Sequence, residues 1–385
     1  MYKRNRIAGL DVIRTAAVSL VIFDHCSFMF NPLQKLPVIG VVVVAFTTLN
    51  EILGYFGVEL FFVLSGFLIS SILFSMLDES KSFKQIITVF LYSRWLRTLP
   101  NYFLFILINY LLFLGLNISV KFDFRFLLFL QNFLTPHPVF FKEAWSLSVE
   151  EWFYLLLVIL SATLFVFLKV EKKRVFLISV CSFIITSLLI KGVFIYSNMN
   201  YHYGFDEYFR KIVVFRFDAV AIGVLGFWLS KYYLVWWNKF KELLFAAAII
   251  LIPVSFYFFF EIYKYDYKLY KQDNTIYFFT AEFYTLIWSF LILAMFPYFN
   301  SLLSFKSAKL NQFFEFFSKI SYSLYLCNFP LLSIFKRTLF TETNSMTIAL
   351  FNIVIYLSVL ILLSFFLYSF YEKRFLVIRD KFLKQ

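Results

Sequence analysis

The chain of 385 residues is 62% hydrophobic and only 15% charged, and it carries 58 Phe and 25 Tyr. Soluble domains are nearer a quarter charged and their cores stop growing near ~250–300 residues, so this composition excludes a single soluble domain. The formal net charge of +13 does not indicate nucleic-acid binding, because Lys and Arg fall mostly in short gaps between apolar runs, which is the pattern of membrane topology.

A basic N-terminus precedes an apolar run that is long enough to cross a bilayer, so the sequence predicts a retained first helix and not a cleaved signal peptide. A crossing requires ~20 apolar residues. Ten segments qualify: residues 8–30, 52–77, 99–117, 146–168, 175–196, 212–230, 243–262, 276–299, 319–340 and 347–370. The apolar stretch 38–49 is shorter and predicts an interfacial or re-entrant piece.

These segments predict an all-α integral membrane protein with about ten transmembrane helices. We expect one transmembrane domain over residues 1–385, with no appended soluble domain. With the N-terminus inside, the inner gaps hold twice as many Lys and Arg residues as the outer gaps. This bias predicts that both termini are cytoplasmic.

Several ionisable residues lie inside the predicted spans, where they are costly and mark functional candidates. His25, Glu59, Glu150 and Arg216 come out roughly 8 to 10 Å outward of the midplane by helix rise. This layer predicts a polar chamber in the outer half of the bundle. Lys191 and Glu282 lie in the same layer and fit a structural ion pair with each other. Arg216 also fits a structural ion pair, with Asp218.

A second group of charges lies toward the predicted cytoplasmic side. Arg14 precedes His25 by eleven residues, which places both on one helix face about 16.5 Å apart along the axis. Asp11 is one turn before Arg14 and can pair with it. Arg94 and Arg97 share a face at the start of the third span. Two neighbouring guanidinium groups suit a phosphate-bearing ligand, although positive-inside anchors also occur at such sites.

A group of arginines on the cytoplasmic side, with a histidine further out, fits acyl-CoA. The phosphates of acyl-CoA would lie near the arginines, and its thioester would reach His25. His25 is then the general base, with Glu59 or Glu150 orienting it and Arg216 stabilising the oxyanion. The sequence contains no conventional nucleophile elbow, so direct transfer is favoured over a covalent intermediate. The three Cys residues lie in apolar segments without metal-ligand spacing, so neither a metal site nor a bound cofactor is expected.

Six segments together resemble the motifs of acyltransferase family 3, the multispanning membrane enzymes that O-acylate bacterial surface polysaccharides. In order they are RIAGLDVIR at 6–14 followed by His25, GVELFFVLSGF at 57–67, RWLR at 94–97, WSLSVEEWFY at 145–154, RFDAVAIG at 216–223 and ISYSLYL at 320–326. Two later positions depart from the family pattern. Asn328 stands where the family usually has His, and Arg374 where the pattern usually continues with Pro, so the resemblance assigns no role to the C-terminal third.

The resemblance implies a multi-pass protein of the bacterial inner membrane that transfers an acyl group, most simply acetyl, from cytoplasmic acyl-CoA to a hydroxyl of a cell-surface or lipid-linked glycan. A separate extracytoplasmic partner is compatible with this interpretation, whereas nucleic acid is not an expected partner. The resemblance implies that His25 is the essential base, that Arg14, Arg94 and Arg97 bind the donor, and that Glu150 lies in or near the active site. The further predicted catalytic residues are Glu59 and Arg216, the further predicted donor-binding residue is Ser65, and the predicted structural or orienting residues are Asp11, Trp145, Tyr154 and Asp218.

Buried charges in a ten-helix bundle also describe a proton-coupled transporter or a lipid-linked sugar flippase. The inner line of Arg14, Arg94 and Arg97 favours the acyltransferase, because it suits a CoA donor better than a proton path. No internal repeat of the kind that transporters often carry is apparent in the sequence.

Overall fold

A computed structural model describes residues 6–35, 39–78, 80–119, 121–197, 206–269, 274–338 and 345–383. Throughout these ranges the regular structure is helical, and no β-strand occurs in them. The α-helices are α1 (Ala8–Cys26), α2 (Ile39–Met76), α3 (Phe83–Gly115), α4 (Ala144–Ala162), α5 (Lys172–Ser197), α6 (Phe217–Tyr232), α7 (Leu234–Lys239), α8 (Lys241–Leu269), α9 (Asn274–Ser301), α10 (Ala308–Thr338), α11 (Met346–Leu367) and α12 (Lys373–Phe382).

Each of the ten predicted spans coincides with a helix. In the described part of the chain, eight helical segments are long and apolar enough to cross a membrane. The two other predicted spans are α6, which has 16 residues and follows a 3-10 turn at Val213–Phe215, and α10, which is longer but more polar. The prediction of an all-α, multispanning membrane protein is confirmed.

Two helices begin earlier than the sequence predicted. Residues 39–49 are not a re-entrant piece, because α2 continues through them into the second predicted span. The polar break at Glu51 stays helical, and its carboxylate accepts a hydrogen bond from the Tyr55 hydroxyl one turn later (2.8 Å). α3 begins at Phe83, well before the predicted start at residue 99, behind a reciprocal cap between Ser82 and Gln85.

The chain divides into two compact units. The first comprises Met1–Val58, Trp95–Phe122 and Ser304–Gln385, and the second comprises Glu59–Arg94 and Asp123–Leu303.

In the first unit, α1 packs beside α10 and runs in the same direction. Thr15 bonds the carbonyl of Phe314 (3.5 Å), and further along both helices His25 meets Asn328. The interface between the two helices therefore contains polar side chains at both of these positions.

In the second unit, α2 and α6 approach closely and also run parallel. A Cβ atom added to Gly66 would lie 2.0 Å from the Val220 carbonyl oxygen, and one added to Gly223 would lie 2.1 Å from that of Val63. Only residues without a side chain permit this approach. By contrast, α8 and α9 form an antiparallel pair in which the Trp288 indole donates to Ser255 (3.1 Å).

Candidate active site

His25 lies in the last turn of α1, where its ring meets a side-chain amide. Its Nδ1 atom is 2.5 Å from Nδ2 of Asn328 on α10. Asn328 is in turn bonded by the Tyr356 hydroxyl of α11, which lies 2.9 Å from the Asn328 backbone carbonyl oxygen and also contacts Oδ1. Asn328 and Tyr356 are buried, whereas His25 is half-buried. The C-terminal third, to which the resemblance assigned no role, therefore supplies a direct partner of His25.

Arg14 lies on the same uninterrupted helix as His25, so the predicted shared face and the separation of about 16.5 Å hold. Its guanidinium donates to the Ser318 hydroxyl of α10 (3.2 Å). Asp11, predicted to pair with Arg14, accepts instead from Arg6 (2.6 Å), which also pairs with Glu315.

Arg97 also belongs to the first unit, where a buried carboxylate lies near it. Glu372 accepts hydrogen bonds from the Ser323 hydroxyl (2.6 Å) and the Asn101 amide (3.1 Å), and it interacts electrostatically with Arg97. Arg374, two residues later, is exposed. Glu372 thus belongs to the C-terminal third, to which the resemblance assigned no role.

Four predicted site residues come together in the second unit. The Arg94 guanidinium lies 4.4 Å above the Tyr154 ring and 4.0 Å from the Glu150 carboxylate. The Tyr154 hydroxyl donates to Glu150 (2.8 Å), and Ser65 lies within hydrogen-bonding reach of that hydroxyl. Because α3 includes residue 94, Arg94 projects from the interior of this helix.

Glu59 and Arg216 form a buried ion pair in the second unit, each about 1% exposed. Arg216 Nη2 donates to both carboxylate oxygens, at 2.5 and 2.6 Å, and the Ser289 hydroxyl also reaches Glu59 (3.4 Å). Arg216 therefore hydrogen-bonds Glu59, and it also interacts electrostatically with Asp218, the partner that the sequence suggested. Such a pair suits a structural role at least as well as the predicted catalytic one.

Lys191 and Asp218 form the second buried pair of this unit, with Nζ 2.8 Å from Oδ2. The sequence suggested Glu282 as the partner of Lys191, but the Glu282 side chain lies outside the described residues. Asp218 also accepts from the backbone N–H of Ala219 (2.8 Å) at the start of α6.

Trp145 is buried at the start of α4 among other side chains. The Arg210 guanidinium lies 4.7 Å above its ring, and the Phe62 ring meets it edge-on. The neighbouring Glu143 is buried outside the spans, and burial raises the pKa of its carboxyl to about 8. Among the described residues, no cluster of His, Cys, Asp or Glu is arranged to hold a metal ion.

No solved structure matches this chain. The peptidoglycan O-acetyltransferase OatA of Listeria monocytogenes serovar 1/2a is 28% identical over 197 residues, covering 46% of this chain and 27% of that protein. The chain thus spans about a quarter of the length of this curated relative. Residues 7–369 match the family described as an acyltransferase domain, Acyl_transf_3. This match covers nearly the whole chain, including His25 with Asn328 and Arg94 with Glu150. The chain therefore belongs to acyltransferase family 3.

Proposed function

We propose that this membrane acyltransferase moves an acyl group, most simply acetyl, from cytoplasmic acyl-CoA to a hydroxyl of a cell-surface or lipid-linked glycan, in the bacterial inner membrane. The similarity to a protein named as a peptidoglycan O-acetyltransferase supports both acetyl as the group and a glycan as the acceptor. The observation that carries the proposal is His25, a half-buried imidazole on a helix face that also carries Arg14.

The proposed reaction is a direct transfer. The acceptor hydroxyl gives its proton to His25 as its oxygen attacks the thioester carbonyl carbon. The carbon–sulfur bond then breaks, and the CoA thiolate leaves and takes the proton from the imidazolium. The products are the O-acyl ester and free CoA, and the histidine returns to its starting state.

The proposed donor contacts are arginines, because CoA carries phosphates that guanidinium groups bind well. Arg14 and Arg97 belong to the same unit as His25. Both have polar neighbours that fix their direction, since Arg14 bonds Ser318 and Arg97 lies near Glu372. For Arg94, the ring of Tyr154 and the carboxylate of Glu150 play the same part.

The test is acetyl-CoA turnover by the full-length protein purified in detergent, with an added glycan acceptor and with free CoA as the readout. We expect wild-type protein to release CoA and His25→Ala to lose the activity by roughly 10²-fold or more, which is the usual contribution of a general base. Donor binding, measured separately, should be unchanged in His25→Ala. His202→Ala serves as the matched control for loss of an imidazole.

Two results would reject the proposal. Turnover by His25→Ala at the wild-type rate would remove His25 from the reaction. Wild-type protein that neither binds acetyl-CoA nor releases CoA in the presence of acceptor would remove acyl-CoA as the donor.

A further inference from the structure

The His25 ring is hydrogen-bonded to a side-chain amide, which is itself hydrogen-bonded to a tyrosine hydroxyl. The hydrogen bonds run from Tyr356 on α11 to Asn328 on α10 and then to Nδ1 of His25 on α1. All three residues lie in the first unit, and Tyr356 and Asn328 are 0% and 1% exposed. A buried side-chain amide placed on an imidazole nitrogen decides which of the two ring nitrogens carries the proton.

An amide has a donating end and an accepting end, so its two orientations impose opposite tautomers. With Nδ2 of Asn328 toward the ring, Nδ1 accepts and the proton sits on Nε2, where it can be donated but cannot be received. With Oδ1 toward the ring, Nδ1 carries the proton and the lone pair of Nε2 is available. Only the second orientation gives His25 the free Nε2 that a general base requires.

Tyr356 makes both orientations acceptable, because its hydroxyl lies beside two different acceptors. When Oδ1 faces Tyr356, the hydroxyl donates to Oδ1. When Nδ2 faces Tyr356, the amide donates to the hydroxyl oxygen, and the hydroxyl proton turns to the Asn328 backbone carbonyl, 2.9 Å away. The amide can therefore rotate without leaving a buried polar group unbonded, a loss that would cost roughly 1–3 kcal/mol.

We infer that Asn328 and Tyr356 are positioning residues for His25: in the working enzyme the amide oxygen of Asn328 holds the proton on Nδ1, and the Tyr356 hydroxyl accepts a hydrogen bond from the other end of the amide. They act through His25, by keeping its Nε2 unprotonated and its ring in place. This inference rests on the proposed function for its kinetic part, but its structural part concerns only the tautomer.

The tautomer is measurable without turnover. The chain has three His residues, so the full-length protein labelled with ¹⁵N-histidine in detergent gives few imidazole signals, and His25→Gln identifies those of residue 25. Spectra are recorded at a pH at which the ring is neutral. We expect the proton on Nδ1 in wild-type protein and in Asn328→Asp, because a carboxylate can only accept. In Asn328→Leu we expect an increased population of the Nε2–H form.

The kinetic arm uses the same variants. Asn328→Leu should lower kcat roughly 10²-fold with little change in KM for the donor, whereas Asn328→Asp should keep most of kcat. Tyr356→Phe should lower kcat by roughly tenfold. Tyr371→Phe is the matched control, because it removes another hydroxyl of the same unit that donates to a backbone carbonyl (Pro100, 3.2 Å).

Several outcomes would overturn the inference. These are a wild-type ring protonated on Nε2, a tautomer unchanged in Asn328→Leu, or an Asn328→Asp enzyme as impaired as Asn328→Leu. If the wild-type protein showed no acyl transfer at all, the proposed function would fail, yet the spectra would still decide whether Asn328 sets the tautomer.

Discussion

Among the individual side chains, the charged groups of the second unit differ in how deeply they are buried. Glu59 and Arg216 neutralise each other through two short hydrogen bonds and are almost without exposure. Arg94 and Glu150 are half-buried, 4.0 Å apart, and share Tyr154. A pair so deeply buried is poorly placed to change its partners during a reaction. We therefore expect Glu59 and Arg216 to matter first for stability and Arg94 to matter first for the ligand.

Glu59→Gln separates stability from catalysis. The change leaves the Arg216 cation buried without its counter-charge, and breaking a buried pair in this way costs roughly 3–5 kcal/mol. We expect a clear fall in the thermal unfolding temperature in detergent, measured by tryptophan fluorescence, with activity per folded molecule largely kept. Glu171→Gln is the control, because Glu171 belongs to an exposed pair with Arg174 and its loss should change little. Normal stability together with lost turnover would make Glu59 catalytic.

Glu143 predicts a pH dependence of stability outside the membrane spans. Burial raises the pKa of its carboxyl from 4.5 to about 8, so between these values the folded protein holds a proton that the unfolded chain has released. The stabilisation is complete below pH 4.5 and is lost as the pH rises through about 8, at up to about 1.4 kcal/mol per pH unit. Thermal unfolding of Glu143→Gln should accordingly depend less on pH in this window, with the variant more stable than wild type above pH 8. Parallel curves for the two proteins would contradict this assignment.

The sequence could place His25 relative to Arg14, because both lie on one helix and helical geometry is local. It could not supply Asn328, which is 303 positions away and meets His25 only because α1 and α10 pack side by side. The same limit applies to the ion pairs. Local spacing suggested Asp218 for Arg216, and the two do interact electrostatically, but the hydrogen bonds of Arg216 go to Glu59, 157 positions away.

The apolar pattern of the sequence predicted the positions of the helices well and the residues at which they begin poorly. Hydropathy detects the part of a helix that lipid can cover, so each of the ten segments it marked coincides with a helix. It missed the first part of α3, which is amphipathic and begins at a side-chain cap between Ser82 and Gln85. It also divided α2 at its polar residues near Glu51, where intrahelical hydrogen bonds keep the helix continuous.

The crossing of α2 and α6 predicts a strong size limit at two glycines. Alanine at Gly66 or Gly223 would place Cβ about 2 Å from a backbone carbonyl oxygen of the other helix. Backbone cannot move aside cheaply, so we expect each change to cost roughly 1–3 kcal/mol. Gly192→Ala in α5 is the control, because nothing lies within 4 Å of its added Cβ and alanine favours the helix. The measurement is the thermal unfolding temperature in detergent. Equal temperatures for all three variants would contradict the close approach.

For the whole molecule, helix direction gives evidence on the number of crossings. If successive spans alternate in direction, the first and ninth predicted spans run the same way, as do the second and sixth. The parallel pairs α1 with α10 and α2 with α6 agree with this. Without α6 as a crossing, α1 and α10 would run in opposite directions. The short, buried α6 is therefore best counted as a span.

The orientation of the helices in the membrane is a prediction that chemical labelling can test. The Lys and Arg bias predicts that both termini are cytoplasmic, which places residues 169–174 inside and 118–145 outside. Arg174 and Arg125 are exposed side chains in these two segments. In spheroplasts, a membrane-impermeant maleimide should label Arg125→Cys directly and Arg174→Cys only after permeabilisation, above the background of wild-type protein with its three native Cys. The reverse pattern would invert the topology, and the arginines proposed to bind cytoplasmic acyl-CoA would then face the wrong side.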